Sequence, residues 1–179
     1  MAVLGAAMAA PWVTTPAQAG VARGLPLEEL VKRSNHVLRG TPLEAYSEWS
    51  SFGKERRIVT YTRVRVDAPL RDGDSPDCEV LVRTLGGVVG DLGQVVHGEA
   101  TLLIGESCVA FLKTMHDGVL GVTAMAQGHY PLLADSAGLY RLNSSPELAV
   151  LLDEQRSAVA RLRGRTFDEA RALIRAAKP

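Results

Sequence analysis

The chain reads as mainly β with a helical minority (β+α): a small antiparallel barrel or sandwich of about five strands, with a short N-terminal helix and a C-terminal helical hairpin. Two observations predict this. Between residues 36 and 132, short stretches of alternating apolar and polar residues are separated by Gly-, Pro- and Asp-containing turns, with no helical period between them. Before and after that region the apolar residues recur at helical spacing instead.

The elements follow in order. Residues 3–13 (VLGAAMAAPWV) form an apolar run of the length found in a secretory leader, and Ala17-Gln18-Ala19 then supplies the small-x-small pattern that signal peptidase reads. Cleavage is expected before Gly20, which makes 1–19 a signal peptide and the mature chain periplasmic or secreted. No Lys or Arg precedes the run; a start codon assigned too far downstream, or a chance Ala-rich N-terminus, would account for that. In LPLEELVKRS (25–34), Leu27, Leu30 and Val31 share one helical face. The first strand is expected at 36–49, with Gly40 and Pro42 marking a bulge or edge position. The second, RRIVTYTRVRVDAPL (56–70), alternates most clearly: Ile58, Thr60, Thr62, Val64 and Val66 should point inward, and Arg57, Val59, Tyr61, Arg63 and Arg65 outward. After the turn RDGDSPD, CEVLVRTL (78–85) repeats the pattern with Val80, Val82 and Thr84 inward. A fourth strand is expected around 107–113, and a fifth in VLGVTAMAQGHYPL after the turn at His116-Asp117-Gly118. Ser145-Pro146 reads as an N-cap with proline at the first helical position, and Leu148, Leu151, Leu152, Gln155, Val159 and Leu162 continue at helical spacing to Gly164. Thr166-Phe167-Asp168-Glu169 is a capping-box pattern opening a second helix, with Ala170, Leu173, Ile174 and Ala177 on one side. The expected organisation is a leader at 1–19, a β-barrel domain with its short helix at 20–142, and a helical appendage at 143–179.

Composition narrows the function. Lys+Arg and Asp+Glu are 20 each and aromatics only 5%, so neither a net field nor a stacking platform recruits nucleic acid. No stretch approaches the ~20 apolar residues of a membrane span, so no transmembrane segment is expected. Cys78 and Cys108 lie in no C-x-x-C, and the reading places them toward opposite ends of neighbouring strands, which argues against a disulfide.

RTLGGVVGDLGQVVHGEA (83–100) raises the question of a phosphate cradle through Gly86, Gly87, Gly90, Gly93 and Gly98. Such a cradle needs a following helix whose free N–H groups hold the anion, whereas ATLLIGESCVAFL reads as strand; nor do the glycines match a nucleotide-binding spacing. The segment is a long connection between strands, and long loops on rigid scaffolds often carry recognition. Its Val88, Val89, Leu92, Val95 and Val96 must either pack on the barrel or meet a partner. Arg57, Tyr61, Arg63 and Arg65 form a second surface able to bind single strands or sugars; the alternative is a solvated face with Glu79 as cross-strand partner.

His36, His97, His116 and His129 show no metal-ligand spacing, and Cys108 lies in a strand rather than on a nucleophile elbow. Asp72, Asp74 and Asp77 crowd one turn without the EF-hand pattern. No catalytic residue, metal or cofactor is assigned.

The order LVKRSNHVLRGTPLEA, YTRVRVDAPL, CEVLVRTLGG, IGESCVAFLK and MAQGHY, over somewhat more than half the chain, resembles an uncharacterised type of bacterial exported domain. More distantly, it is similar to the OB-like barrel of netrin-type modules, which include the tissue inhibitors of metalloproteinases. The resemblance implies an OB-like barrel. Those inhibitors present a mature N-terminal cysteine to the protease zinc, whereas this chain would begin Gly20-Val21-Ala22, so no functional residue carries over. The expectation is therefore a non-catalytic exported binding or interaction module whose partner is another envelope or secreted protein. One alternative is a protease-inhibitor-like module. Another is an exported hydrolase or metal-dependent enzyme assembled from dispersed residues such as His97, Glu106, Asp117 and His129; a pocket gathering at least three of these would favour it.

Overall fold

A computed structural model describes residues 21–52, 55–74 and 76–177. The expected leader at 1–19 and cleavage point before Gly20 lie outside these residues. The protein is mainly β. Its principal sheet has seven strands, not five, in the order β10-β9-β7-β2-β3-β4-β8. These are β2 (His36–Phe52), β3 (Glu55–Pro69), β4 (Glu79–Leu85), β7 (Cys108–Thr114), β8 (Leu120–Val122), β9 (His129–Ala134) and β10 (Tyr140–Leu142).

β2 and β3 form one long antiparallel ladder, and β3 continues into β4. β4 pairs with β8, β8 with β7, and β7 with β2, so the ladder returns on itself as a ring of five strands. The expectation of purely antiparallel pairing fails at one seam: β4 and β8 run parallel, because β7 lies between them in sequence and supplies the crossover. β9 and β10 extend the sheet outward from β7. The bulge expected at Gly40 and Pro42 is present, as register shifts between Arg39 and Gly40 and between Pro42 and Glu44.

The sheet separates two cores. Inside the ring, Leu38, Val64, Val82, Ala110, Leu112 and Val122 pack together. On the outer face of β2, β7 and β9, Val37, Val109, Phe111 and Tyr130 meet α1 (Leu27–Lys32), α2 (Ala158–Leu162) and α3 (Phe167–Ala176). The alternation of β3 holds at Ile58, Thr62 and Val64, all buried, and at exposed Arg65. Val59 departs from it and is buried on the opposite face, between Glu48 and Leu85.

Two sequence expectations are corrected. The fifth segment is two strands, β8 and β9, separated by a 3-10 turn at Met125–Gly128. Ala124 and Met125 take positive φ there, and a Cβ on Gly128 would sit 2.2 Å from the Thr123 carbonyl oxygen, so the chain reverses too tightly for an unbroken strand. The helix expected from Ser145 does not form. Val150–Leu152 is instead a strand, β11, paired in parallel with β1 (Val21–Arg23), and Asp153 at φ 58 ends it. A partner about 130 positions away in sequence supplies backbone hydrogen bonds that outweigh local periodicity. Only the five-residue α2 remains of that helix, capped by Ser157 rather than Ser145. The capping box of α3 forms as expected: Thr166 Oγ1 accepts the Glu169 N–H at 3.4 Å, and a Glu169 carboxylate oxygen accepts the Thr166 N–H at 2.8 Å.

Candidate functional site

The glycine-rich segment folds as a small hairpin, β5 (Gly87–Val89) and β6 (Leu92–Gln94), with Val89 opposite Leu92 across Gly90-Asp91. It lies over one end of the ring. A Cβ on Gly87 would fall 2.3 Å from Ser47 Oγ and 2.4 Å from Thr60 Oγ1, and φ is +133° at this residue. Glycine is thus required here for backbone to approach sheet, not to cradle a phosphate. The Gly86 N–H donates to the Ile58 carbonyl at 2.8 Å, Thr60 Oγ1 donates to the Gly86 carbonyl at 2.7 Å, and the Ile58 N–H donates to Gln94 Oε1 at 2.8 Å. With its base fixed in this way, the hairpin leaves Val88, Leu92 and Val95 at 66%, 61% and 78% exposure. Val89 and Val96 are half-buried.

Beneath the hairpin is a cleft of about 340 Å³. Its floor is polar where the ring interior should be apolar: Thr60 and Thr84 are directly paired across β3 and β4, and Thr62 follows on the same face. Further into the ring the inward positions become Val64, Val80 and Val82. Glu99 also lines the cleft and is 9% exposed. Burial raises its pKa against the pull of the Ala100 and Leu85 N–H groups and of the Lys113 charge. Alternation alone placed the threonines inward; their polarity at core positions is the signal that could have marked this cleft in the sequence.

The outward stripe on β3 is internally neutralised. Arg57 pairs with Glu55 at 2.7 Å, Arg63 with Glu44 at 2.9 Å and Glu79 at 2.7 Å, and Arg65 with Asp67 at 2.9 Å. Tyr61 stacks on Tyr46 with ring centroids 5.4 Å apart. The cross-strand partner Glu79 expected from the sequence is present, and the stripe offers balanced charge to an anionic strand.

Of the four residues considered for an assembled enzyme, only two come together. His97 is exposed on the loop after β6, and Asp117 pairs with Arg83 at a turn. His129 and Glu106 do meet, with Cys108, around a pocket of about 150 Å³. Cys108 pairs with Pro131 and Ala110 with His129 across β7 and β9, which sets thiol and imidazole diagonally on one face. Burial, with the Asp67 charge second, pushes the Cys108 thiol up to about 12, and burial lowers His129 to about 4. At neutral pH the pair is therefore an uncharged thiol beside an uncharged imidazole, whose Nδ1 meets Ser145 Oγ at 3.2 Å. A nucleophilic cysteine needs the opposite environment. Cys78, just before β4, and Cys108, at the start of β7, are both free, and β8 lies between those two strands.

Among the described residues, no group of three or more His, Cys, Asp or Glu is arranged to hold a metal ion. In the acidic turn, Asp74 accepts the Val37 N–H at 2.9 Å and pairs with Arg71, while Asp72 pairs with Arg175 on α3. No helix among these residues is long and apolar enough to cross a membrane. Comparison of the chain with protein-family models, curated proteins and solved structures returned no match.

Proposed function

We propose that this protein is an exported, non-catalytic binding module, an OB-like barrel that engages another envelope or secreted protein through the β5–β6 hairpin. The observation that carries the reading is the hairpin's exposure: Val88, Leu92 and Val95 stand in solvent on a base tied to β3 by three hydrogen bonds. Exposed aliphatic side chains on a rigid mount present apolar area at little ordering cost, which is what a docking surface needs. The OB-like description is supported by the order of the ring, in which the five strands pair first-second-third-fifth-fourth and back to the first. The dispersal of His97, Asp117 and the His129–Glu106 pair weighs for a module over an enzyme.

The test uses the tagged mature chain and the double variant Leu92→Ser/Val95→Ser. The variant should melt within a degree or two of the wild type. Affinity capture from envelope and culture fractions, read by mass spectrometry, should yield a protein with the wild type that the variant fails to retain. A fall in melting temperature would show that these side chains pack on the ring, and retention of the same captured protein would remove the hairpin from recognition. Recovery of an N-terminus at Gly20 from the exported fraction is the parallel check on export.

A further inference from the structure

We infer that the cleft beneath the β5–β6 hairpin receives a lysine side chain of the bound partner, with its ammonium among Thr62, Thr84 and Glu99. The inference rests on the binding-module reading and supplies the chemistry of its contact. Thr62 is 2% exposed and Thr84 7%, and among the described residues neither hydroxyl has a hydrogen-bond partner within the protein. A buried hydroxyl ordinarily finds one, so both are open to whatever enters the cleft. Glu99 adds a carboxylate that makes no ion pair among the described residues. Leu85 and Leu102 supply an aliphatic wall, and Val95 stands at the rim.

The volume, about 340 Å³, is at the low end for small-molecule pockets and roomy for one long side chain. An aliphatic stem ending in a cation fits a wall of Leu and Val leading to a carboxylate. Ammonium matches better than guanidinium. The Glu99 carboxylate already accepts the Ala100 N–H at 3.0 Å and is also bonded by the Leu85 backbone, so it lacks the free fork that a bidentate guanidinium requires. An ammonium donates three bonds in rotatable directions and can spread them over two hydroxyls and one carboxylate oxygen. Desolvating Glu99 without a cation is costly, and the incoming charge offsets that cost in the complex only. The competitor is Lys113, which reaches Glu99 from an adjoining cleft of about 220 Å³ that shares Thr84, Leu85 and Glu99.

The probe is n-butylammonium chloride, the side chain of lysine without its backbone, titrated into 15N-labelled protein with n-butanol at matched ionic strength as control. Saturable amide shifts should appear at Thr62, Thr84, Leu85 and Glu99 with the ammonium and not with the alcohol. Affinity should fall at least tenfold in Glu99→Gln and severalfold in Thr62→Val, a nearly isosteric change that leaves the fold intact, and should rise in Lys113→Met. Absence of saturable shifts in the wild type, equal shifts with n-butanol, or unchanged affinity in folded Glu99→Gln and Thr62→Val would overturn the inference. Capture separates it from the broader reading. A partner lost with Leu92→Ser/Val95→Ser but retained by Glu99→Gln leaves the module standing and removes the lysine; a butylammonium site with no hairpin-dependent partner removes the module, and the partner's lysine with it, and leaves only a cation-binding cleft.

Discussion

Two adjacent residues of β9 point to opposite faces of the sheet, and each is buried at a cost. Tyr130 faces the outer core, fully buried, with its ring edge-on to Phe111 at 5.9 Å and its hydroxyl without a hydrogen-bond partner among the described residues. An orphaned buried hydroxyl costs its desolvation and returns nothing, so Tyr130→Phe should raise stability by about 1 kcal/mol, read as a higher urea midpoint at unchanged slope. An unchanged or lower midpoint would mean that the hydroxyl is satisfied after all. His129 faces the other side, into the pocket it shares with Glu106 and Cys108, where burial holds its pKa near 4 against about 6.5 in the unfolded chain. Above pH 6.5 it is neutral in both states and its contribution to stability is complete. Below that the unfolded chain takes up the proton first, so stability falls as pH drops through the window down to 4. The full loss is on the order of 3 kcal/mol. Paired carboxylates with lowered pKa values, such as Asp117 beside Arg83 and Asp135 beside Arg141, lose their contributions lower on the pH scale. Denaturant unfolding at pH 7, 5.5 and 4.5 should therefore show a steeper decline for the wild type than for His129→Asn, and parallel curves would place the proton elsewhere.

At the scale of elements, β3 was the most legible part of the sequence, because one face meets a packed core and the other meets water. Val64→Asp would bury an unpaired carboxylate among Leu38, Val82 and Leu112, and should cost several kcal/mol. Arg65→Gln removes only an exposed pair with Asp67 and should change stability by no more than about 1 kcal/mol. Equal effects on thermal unfolding would mean that the strand faces are exchanged. α1 and the capping box of α3 were legible for a similar reason: their signals are local and agree with the surroundings. The break between β8 and β9, and the replacement of a helix by β11, depend on contacts distant in sequence, which no local window contains. The site divides the same way. The apolar content of the hairpin could be read directly from Val88, Leu92 and Val95. Of the cleft beneath it only the polarity of Thr60, Thr62 and Thr84 at inward positions was open to reading; the cleft itself exists only once β3 and β4 bring Thr60 and Thr84 side by side and the loop lays Glu99 against them. The close approach of β5 to the sheet also gives a test at this scale: Gly87→Ala drives a methyl into Ser47 and Thr60 and should lower the melting temperature far more than Gly105→Ala, where φ is +81° but the space is open.

Considered as a whole molecule, both ends of the described chain fold back onto the outer face of the sheet. β1 pairs with β11, and Gln127, at the turn between β8 and β9, clasps the incoming strand by accepting the Leu25 N–H at 2.9 Å and donating to the Arg23 carbonyl at 3.1 Å. The last segment is tied in turn to β10: the Leu142 N–H donates to the Arg165 carbonyl at 2.8 Å and the Gly164 N–H to the Leu142 carbonyl at 2.7 Å. One apolar cluster joins Leu27, Leu30 and Val31 of α1, Phe111 and Tyr130 of the sheet, and Val159, Leu162, Ala170 and Ile174 of the C-terminal segment. Helices that share a core this continuous have no separate stability, because neither α2 nor α3 is long enough to persist alone. The full chain should therefore unfold in one transition, with far-UV and near-UV signals coincident. A chain ending at Leu142 would keep every strand of the ring yet expose Leu27, Leu30, Phe111 and Tyr130 to water. It should lose near-UV ellipticity and associate on size-exclusion chromatography, even though the ring's own ladders are untouched. A monomeric, cooperatively melting 20–142 fragment would show instead that the ring is an autonomous unit and that the C-terminal segment is an appendage docked upon it.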